Sequence, residues 1–207
     1  MSAALILPPE PGTLFGGRKR WTRTEMERLT ELGAFDGQRW ELIEGDLFDK
    51  MGQKPPHIFT LGQVADWLSQ VFGASHVIIQ SDVEMLRTDN DTSLPQPDVA
   101  VRREPRTAYA NRYARGDELL LVVEVSDTSL RLDMLVKTKL YARSNVPEYW
   151  VVDLANRRVI VYRKPHQGDY AQIEIAGETG SISPLAKPDA STPVSALLPP
   201  AEPGVAE

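Results

Sequence analysis

Cysteine is absent from this chain of 207 residues, and histidine occurs only three times. The first absence excludes disulfides, thiolate zinc sites and cysteine nucleophiles, and fits a reducing compartment. The second argues against a zinc centre, because His57, His76 and His166 are scattered. No GxGxxG or GxxxxGK[ST] run occurs, so the Gly-rich cradles of nucleotide triphosphates are missing. There is no GxSxG elbow for acyl transfer either. No apolar stretch approaches the length of a transmembrane helix. The opening run MSAALILPPEPG lacks a basic n-region, and Pro8-Pro9 cuts its apolar part short, so it reads as a poor signal peptide. A cytoplasmic location is the expectation.

What is present is an ordinary globular composition, 42% hydrophobic and 25% charged, in a chain long enough for one domain with a full core. The net charge of −6 argues against a nonspecific nucleic-acid coat protein. It leaves room for a nuclease whose basic residues are local. Arg102, Arg103, Arg106, Arg112 and Arg115 stand against Glu104 alone and form such a segment, readable as a nucleic-acid-binding loop or as a solvated surface loop.

Residues 1–20, rich in Pro and Gly with a basic RKR, are expected to form a mobile arm. Thr22 or Thr24 can cap a helix over TRTEMERLTELGA, ending near Gly33. RWELIEGDLFDK reads as a hairpin about Glu44-Gly45-Asp46. After Pro55-Pro56, the residues Ile58, Leu61, Val64, Ala65, Leu68, Val71 and Phe72 keep helical spacing as far as Gly73. HVIIQSDVEML and PDVAV read as strands, and ELLLVVEV as a strand buried on both faces. A helix over LRLDMLVKTKLYARS follows, then strands EYWVVD and RVIVYRK. From Pro184 onward the Pro/Ala-rich chain is expected to be disordered. The domain proper is therefore placed at 21–183, the tail at 184–207. The fold class is α/β (mixed α+β), a central mixed sheet flanked by helices.

Two acids beside apolar strands carry the chemistry. Asp98 opens PDVAV, and Glu124 lies near the end of LLLVVEVS. Carboxylates there are expensive to desolvate and call for a cation; a hard divalent metal such as Mg²⁺ takes oxygen ligands of this kind. In the next helix Asp133, Lys137 and Tyr141 recur every four residues and share a face. Asp133–Lys137 also reads as a plain i,i+4 ion pair.

The succession ELIEGDL, PPH, PDVAV, VVEVSDTS, D-x-x-x-K-x-x-x-Y-A and VPEYWVVD, from about Trp40 to Tyr162, resembles the Uma-two family, also called domain of unknown function 820. That family belongs to the PD-(D/E)XK superfamily and has the restriction endonuclease-like fold. The resemblance implies Asp98 and Glu124 as metal ligands, with the carbonyl of Val125 as a third oxygen. It implies Mg²⁺, or Mn²⁺, as the cofactor. Two residues after Glu124 the superfamily pattern has lysine, whereas this chain has Ser126. The family pattern moves that lysine to Lys137, with Lys139 turned away to solvent. Metal and partial burial would lower the Lys137 pKa and favour a role as base, but the sequence does not separate a base from an electrostatic stabiliser. Glu41 reads as a metal contact or a salt-bridged structural acid, His57 as a phosphate or water contact or a structural residue. Tyr141 reads as core packing or as an orienting hydroxyl.

The expected function is hydrolysis of DNA phosphodiesters by a metal-activated water at Asp98, Glu124 and Lys137, in a protein that pairs as a homodimer to cut two strands. The alternatives are a non-catalytic nuclease-like module that binds nucleic acid or protein, and a metal-dependent hydrolase of another phosphorylated substrate.

Overall fold

The computed structural model of the protein describes residues 18–50 and 52–201. The mobile arm expected over residues 1–20 lies, up to residue 17, outside the described residues; Arg18 and Arg20 both pair with Asp46. Helix α1 (Arg23–Glu31) starts at Thr22, whose side chain accepts from the Glu25 N–H while the Glu25 carboxylate accepts from the Thr22 N–H. This reciprocal capping box satisfies two donors that a helix start leaves unpaired. Strands β1 (Trp40–Ile43) and β2 (Asp46–Asp49) form the expected hairpin. Its two-residue turn, Glu44-Gly45, has φ of 49° and 83°, the pair of positive values that a type I′ turn needs. Helix α2 (Pro55–Phe72) has both prolines in its first turn and stops at Gly73, φ 87°. It buries Val64, Ala65 and Leu68, whereas Ile58, expected on the same apolar face, is exposed.

The remaining elements are β3 (Val77–Ile79), β4 (Val83–Glu84), the short α3 (Asp89–Thr92), β5 (Val99–Arg102), β6 (Ala114–Arg115) and β7 (Leu119–Ser126). Then come α4 (Leu130–Leu132), a π-helical turn (Asp133–Lys137), α5 (Thr138–Arg143), β8 (Glu148–Asp153), β9 (Arg158–His166), β10 (Asp169–Gly177), β11 (Ser181–Ile182) and β12 (Thr192–Pro193). Six strands make the central sheet, in the order β10-β9-β8-β7-β5-β3. All neighbours are antiparallel except β7 and β8. A parallel pair needs a long crossover, and the helical run from 130 to 143 supplies it.

Alternation along β7 sorts the core into two layers. Leu121, Val123 and Val125 pack with Val64 and Leu68 of α2 and with Trp150. Val122 packs with Leu140, Tyr141 and Tyr149 on the other face. The sheet is thus covered on both sides, as the uniformly apolar run predicts. The class is the expected mixed α+β with a central mixed sheet.

Three expectations need correction. The HVIIQSDVEML strand is broken into β3 and β4, with Gln80 between them at φ 48°. Strand β10 was not foreseen; it joins β9 through Gln167-Gly168, a second turn with two positive φ values, 51° and 82°. The segment from Pro184, expected to be disordered, is built into the fold as far as residue 201. There β12 pairs with β11, and Val194, Leu197 and Leu198 are buried in the α2-side core. Three well-placed apolar side chains outweigh the Pro/Ala-rich composition. Residues 202–207 lie outside the described residues. Among the described residues no helix is long and apolar enough to cross a membrane.

Candidate active site

Strand register brings the two acids together. Antiparallel pairing of β5 and β7 matches Val99 with Val123 and Ala100 with Val122, so Asp98 falls opposite Glu124. The two-residue period of a strand puts both carboxylates on the side of the helical run 130–143. Asp98 is fixed at one oxygen: its Oδ2 accepts from the Val125 N–H at 2.9 Å and lies 3.2 Å from His57 Nε2 in the first turn of α2. Its Oδ1 is left to the Gln80 side-chain amide at 3.4 Å and the Lys50 ammonium at 3.7 Å.

Glu124 is fixed in the same one-sided way. Lys137 Nζ donates to its Oε1 at 2.9 Å and the Tyr141 hydroxyl donates to it at 3.0 Å. Asp133, 3.6 Å from Lys137, accepts at Oδ2 from the hydroxyls of Ser126 and Ser129. The face expected of Asp133, Lys137 and Tyr141 is therefore real. The π turn carries it: the Thr138 N–H reaches back five residues to the Asp133 carbonyl, which also accepts from the hydroxyls of Thr138 and Tyr149. Single π turns recur at functional sites because they re-aim side chains inside a helix.

The hairpin adds the last two groups. Glu41 Oε1 lies 2.8 Å from Lys137, and its Oε2 accepts from the Gln96 N–H at 3.2 Å. Lys50, just past β2, is held by its N–H on the Arg39 carbonyl at 2.8 Å. Its ammonium stands 3.6 Å from Glu124 Oε2, 3.7 Å from Asp98 Oδ1 and 4.0 Å from Glu41 Oε1. Of these groups Glu41, Lys50, His57, Asp98 and Lys137 line a cleft of about 440 Å³, together with Lys54, Asp127 and Arg131.

Burial and charge act against each other here. Burial pushes Asp98 up, but His57, Lys50 and the Val125 N–H together hold it well below the carboxylate range. For Glu124 burial wins: despite Lys137 and Lys50, its pKa is pushed up to about 7, with Asp133 and Asp98 adding to the rise. Burial alone would lower Lys137, yet Glu124, Glu41 and Asp133 raise it well above the lysine range. The lowered lysine expected for a base is thus reversed in the protein alone, because three acids surround the ammonium.

An oxygen-only donor set of this kind suits a hard divalent cation. Asp98 Oδ1 and Glu124 Oε2, the oxygens without a close donor, converge on the same point as Glu41 Oε1. Among the described residues no three acids or imidazoles stand close enough together to hold a metal as they are. They are spread around the Lys50 ammonium, at nearly twice the roughly 2.1 Å of a magnesium–oxygen bond.

The structure gathers Asp98, Glu124, Lys137, Glu41, His57 and Tyr141, and leaves Lys139 exposed. It does not bring the arginines to the cleft. Their loop leaves β5 four residues beyond Asp98, about 13 Å down a strand of roughly 3.3 Å per residue. It returns at the start of β7, the end remote from Glu124. Arg102 is buried, donating to the Ser75 carbonyl and lying over the Tyr109 ring. Arg112 pairs with Glu118 at 2.6 and 2.7 Å, and Arg115 lies 3.4 Å from Asp117. Arg106 donates to the Ala74 carbonyl, and Arg103 is exposed. Being between the acids in sequence does not place a loop near them when the strands run antiparallel.

Sequence reasoning missed Lys50, Gln80 and the serine pair. A signal for Lys50 existed. The two-residue turn fixes a register in which Arg39, Glu41 and Ile43 face Lys50, Phe48 and Asp46, so Glu41 and Lys50 share one face.

A mixed sheet wrapped by helices, with paired acids on adjacent central strands and a lysine on the crossover helix, defines a restriction endonuclease-like protein. The Uma2 family, described as "putative restriction endonuclease", matches residues 24–195. The chain belongs to that family. Among solved structures it is similar to a putative nuclease belonging to DUF820 from Anabaena variabilis ATCC 29413, at 15% identity and TM-score 0.60, over 76% of this chain and 88% of that one. No curated protein matches the chain.

Proposed function

We propose that the protein is a metal-dependent endonuclease that hydrolyses phosphodiester bonds of DNA, with Asp98 and Glu124 as metal ligands and Mg²⁺ or Mn²⁺ as the ion. One observation carries the reading: oxygens of Asp98, Glu124 and Glu41 surround one cationic position, the Lys50 ammonium, at an open cleft. The charge count agrees. Glu41, Asp98, Glu124 and Asp133 set four carboxylates against the ammoniums of Lys50 and Lys137. When all are ionised, two negative charges are left over, the charge of one divalent ion.

Asp98 and Glu124 would hold the divalent ion, which would supply polarisation of a phosphoryl oxygen and a water acidic enough to attack at neutral pH. Everything else is done by the chain. His57 and the Val125 N–H orient Asp98 so that Oδ1 faces the cleft, and Lys137 with Tyr141 does the same for Glu124. Lys137, held as an ammonium, offsets charge that builds on the phosphate and acts as an electrostatic stabiliser rather than a base. Lys54 and Arg131 on the cleft wall supply positive charge for the DNA backbone, a role the 102–115 loop is too far from the acids to play at the scissile bond. Cutting both strands calls for two sites related by a twofold axis, so the proposal includes a homodimer on DNA.

Supercoiled plasmid with Mg²⁺ or Mn²⁺ is expected to be nicked by the wild type, and about 10²-fold or more slowly by Asp98→Ala and Lys137→Ala. Nicking that survives Lys137→Ala removes the lysine from the mechanism. A second reading, a nuclease-like module that binds without cutting, draws on the Lys50 ammonium already seated among the acids. A wild type that neither nicks nor gives a heat of Mn²⁺ binding decides for that module.

A further inference from the structure

We propose that Lys50 is a built-in counter-ion that occupies the metal position in the metal-free protein and is displaced into the cleft when a divalent cation binds. The inference rests on the reading of Asp98, Glu124 and Glu41 as a cation site and adds the residue that sets its affinity.

Three observations support it. The Lys50 ammonium sits where the carboxylate oxygens converge, and two of those oxygens, Asp98 Oδ1 and Glu124 Oε2, are the ones a metal would need. Lysine and metal cannot share that point. The contacts are also loose. At 3.6, 3.7 and 4.0 Å none is a hydrogen bond, whereas Lys137 meets two of the same acids at 2.8 and 2.9 Å. Lys137 is a fixed member of the cluster and Lys50 a tenant. Finally, Lys50 has somewhere to go. It stands just past β2 and lines the cleft, its side chain 13% exposed against 1% for Lys137. Its four-carbon stem can swing outward while its N–H stays on the Arg39 carbonyl.

The consequence is competition. Metal binding must first break three long attractions, so the intrinsic affinity of the acids is masked by their own lysine. In return the empty site is not left with unopposed carboxylates, and the displaced ammonium stays in the cleft that the substrate enters.

The test is titration of Mn²⁺ alone, by calorimetry, into the wild type, Lys50→Met and Asp98→Asn. Lys50→Met is expected to bind about tenfold more tightly or better, and Asp98→Asn to lose binding. Equal or weaker binding in Lys50→Met, with binding still lost in Asp98→Asn, overturns this inference and leaves the metal site standing. No binding by either the wild type or Lys50→Met removes the site and the inference together. Amine acylation of the wild type, read by mass spectrometry with and without Mg²⁺, gives an independent answer that does not depend on the stability of Lys50→Met. Labelling of Lys50 is expected to rise about fivefold or more on metal binding, with exposed Lys54 as the internal reference. Labelling unchanged at saturating Mg²⁺ overturns the displacement.

Discussion

Lys137 meets Glu41 at 2.8 Å and Glu124 at 2.9 Å, with Asp133 at 3.6 Å, and is almost wholly buried. Removing one partner of a buried ion pair strands the others without solvent. Lys137→Ala is therefore expected to cost about 3–5 kcal/mol of stability, read from urea unfolding of the metal-free protein. A loss below about 1 kcal/mol, the scale of an exposed pair, would refute the buried cluster. Asp98 gives a pH signature. Its folded pKa lies below the ordinary 3.8, so its stabilisation is complete above that value and is lost as pH falls through the folded one. The wild-type unfolding midpoint should drop more steeply than that of Asp98→Asn between about pH 4 and pH 2; parallel curves would contradict the assignment. That Asp98 and Glu124 come together around a cation was legible in the sequence, because acids beside apolar strands call for one, and the family resemblance pointed to Lys137. Lys50 was not: a lysine after a short hairpin strand looks like any solvated end, and only the turn register moves it inside.

Among the elements, the π turn does most to shape the site. It bulges the crossover helix at Asp133, whose carbonyl takes three donors, and from there aims Lys137 and then Tyr141 at Glu124. Thr138→Val deletes one of those donors while keeping the side-chain shape. A loss of about 0.5–1.5 kcal/mol is expected, together with a fall in plasmid nicking larger than that destabilisation explains. Full nicking in a destabilised Thr138→Val would mean that the turn is only structural. The sequence showed a helix here and its four-residue spacing, but not the π turn, since that depends on Tyr149 arriving from β8. Local signals served better elsewhere: the capping box of α1, the prolines and Gly73 around α2, and the Glu44-Gly45 turn are all written in adjacent residues. Strand β10 escaped notice because an edge strand that is half exposed lacks the apolar run that marks β7.

At the scale of the whole molecule the sheet is closed off by the C-terminal segment as well as by α2. Val194, Leu197 and Leu198 are almost completely buried against the α2-side core. Leu197→Ala should cost about 2–5 kcal/mol, and a chain ending at residue 183 should unfold at much lower urea than the full chain. An unchanged midpoint would return the segment to the role of a loose tail. Composition misled at this point because burial is decided residue by residue, and an Ala/Pro-rich stretch needs only three apolar anchors to dock. The antiparallel β5–β7 register has a wider consequence. The chain makes its chemistry at one end of two strands and its connection, residues 103–118, at the other. A slip of one residue within either strand would turn Asp98 or Glu124 to the wrong face, so the strands tolerate no change in length. The connecting loop carries no such constraint. Its exposed turn, residues 110–113, can be lengthened or recoded while the distance between the two acids stays the same, whereas Tyr109 and Ala114 on either side of it are anchored in the core.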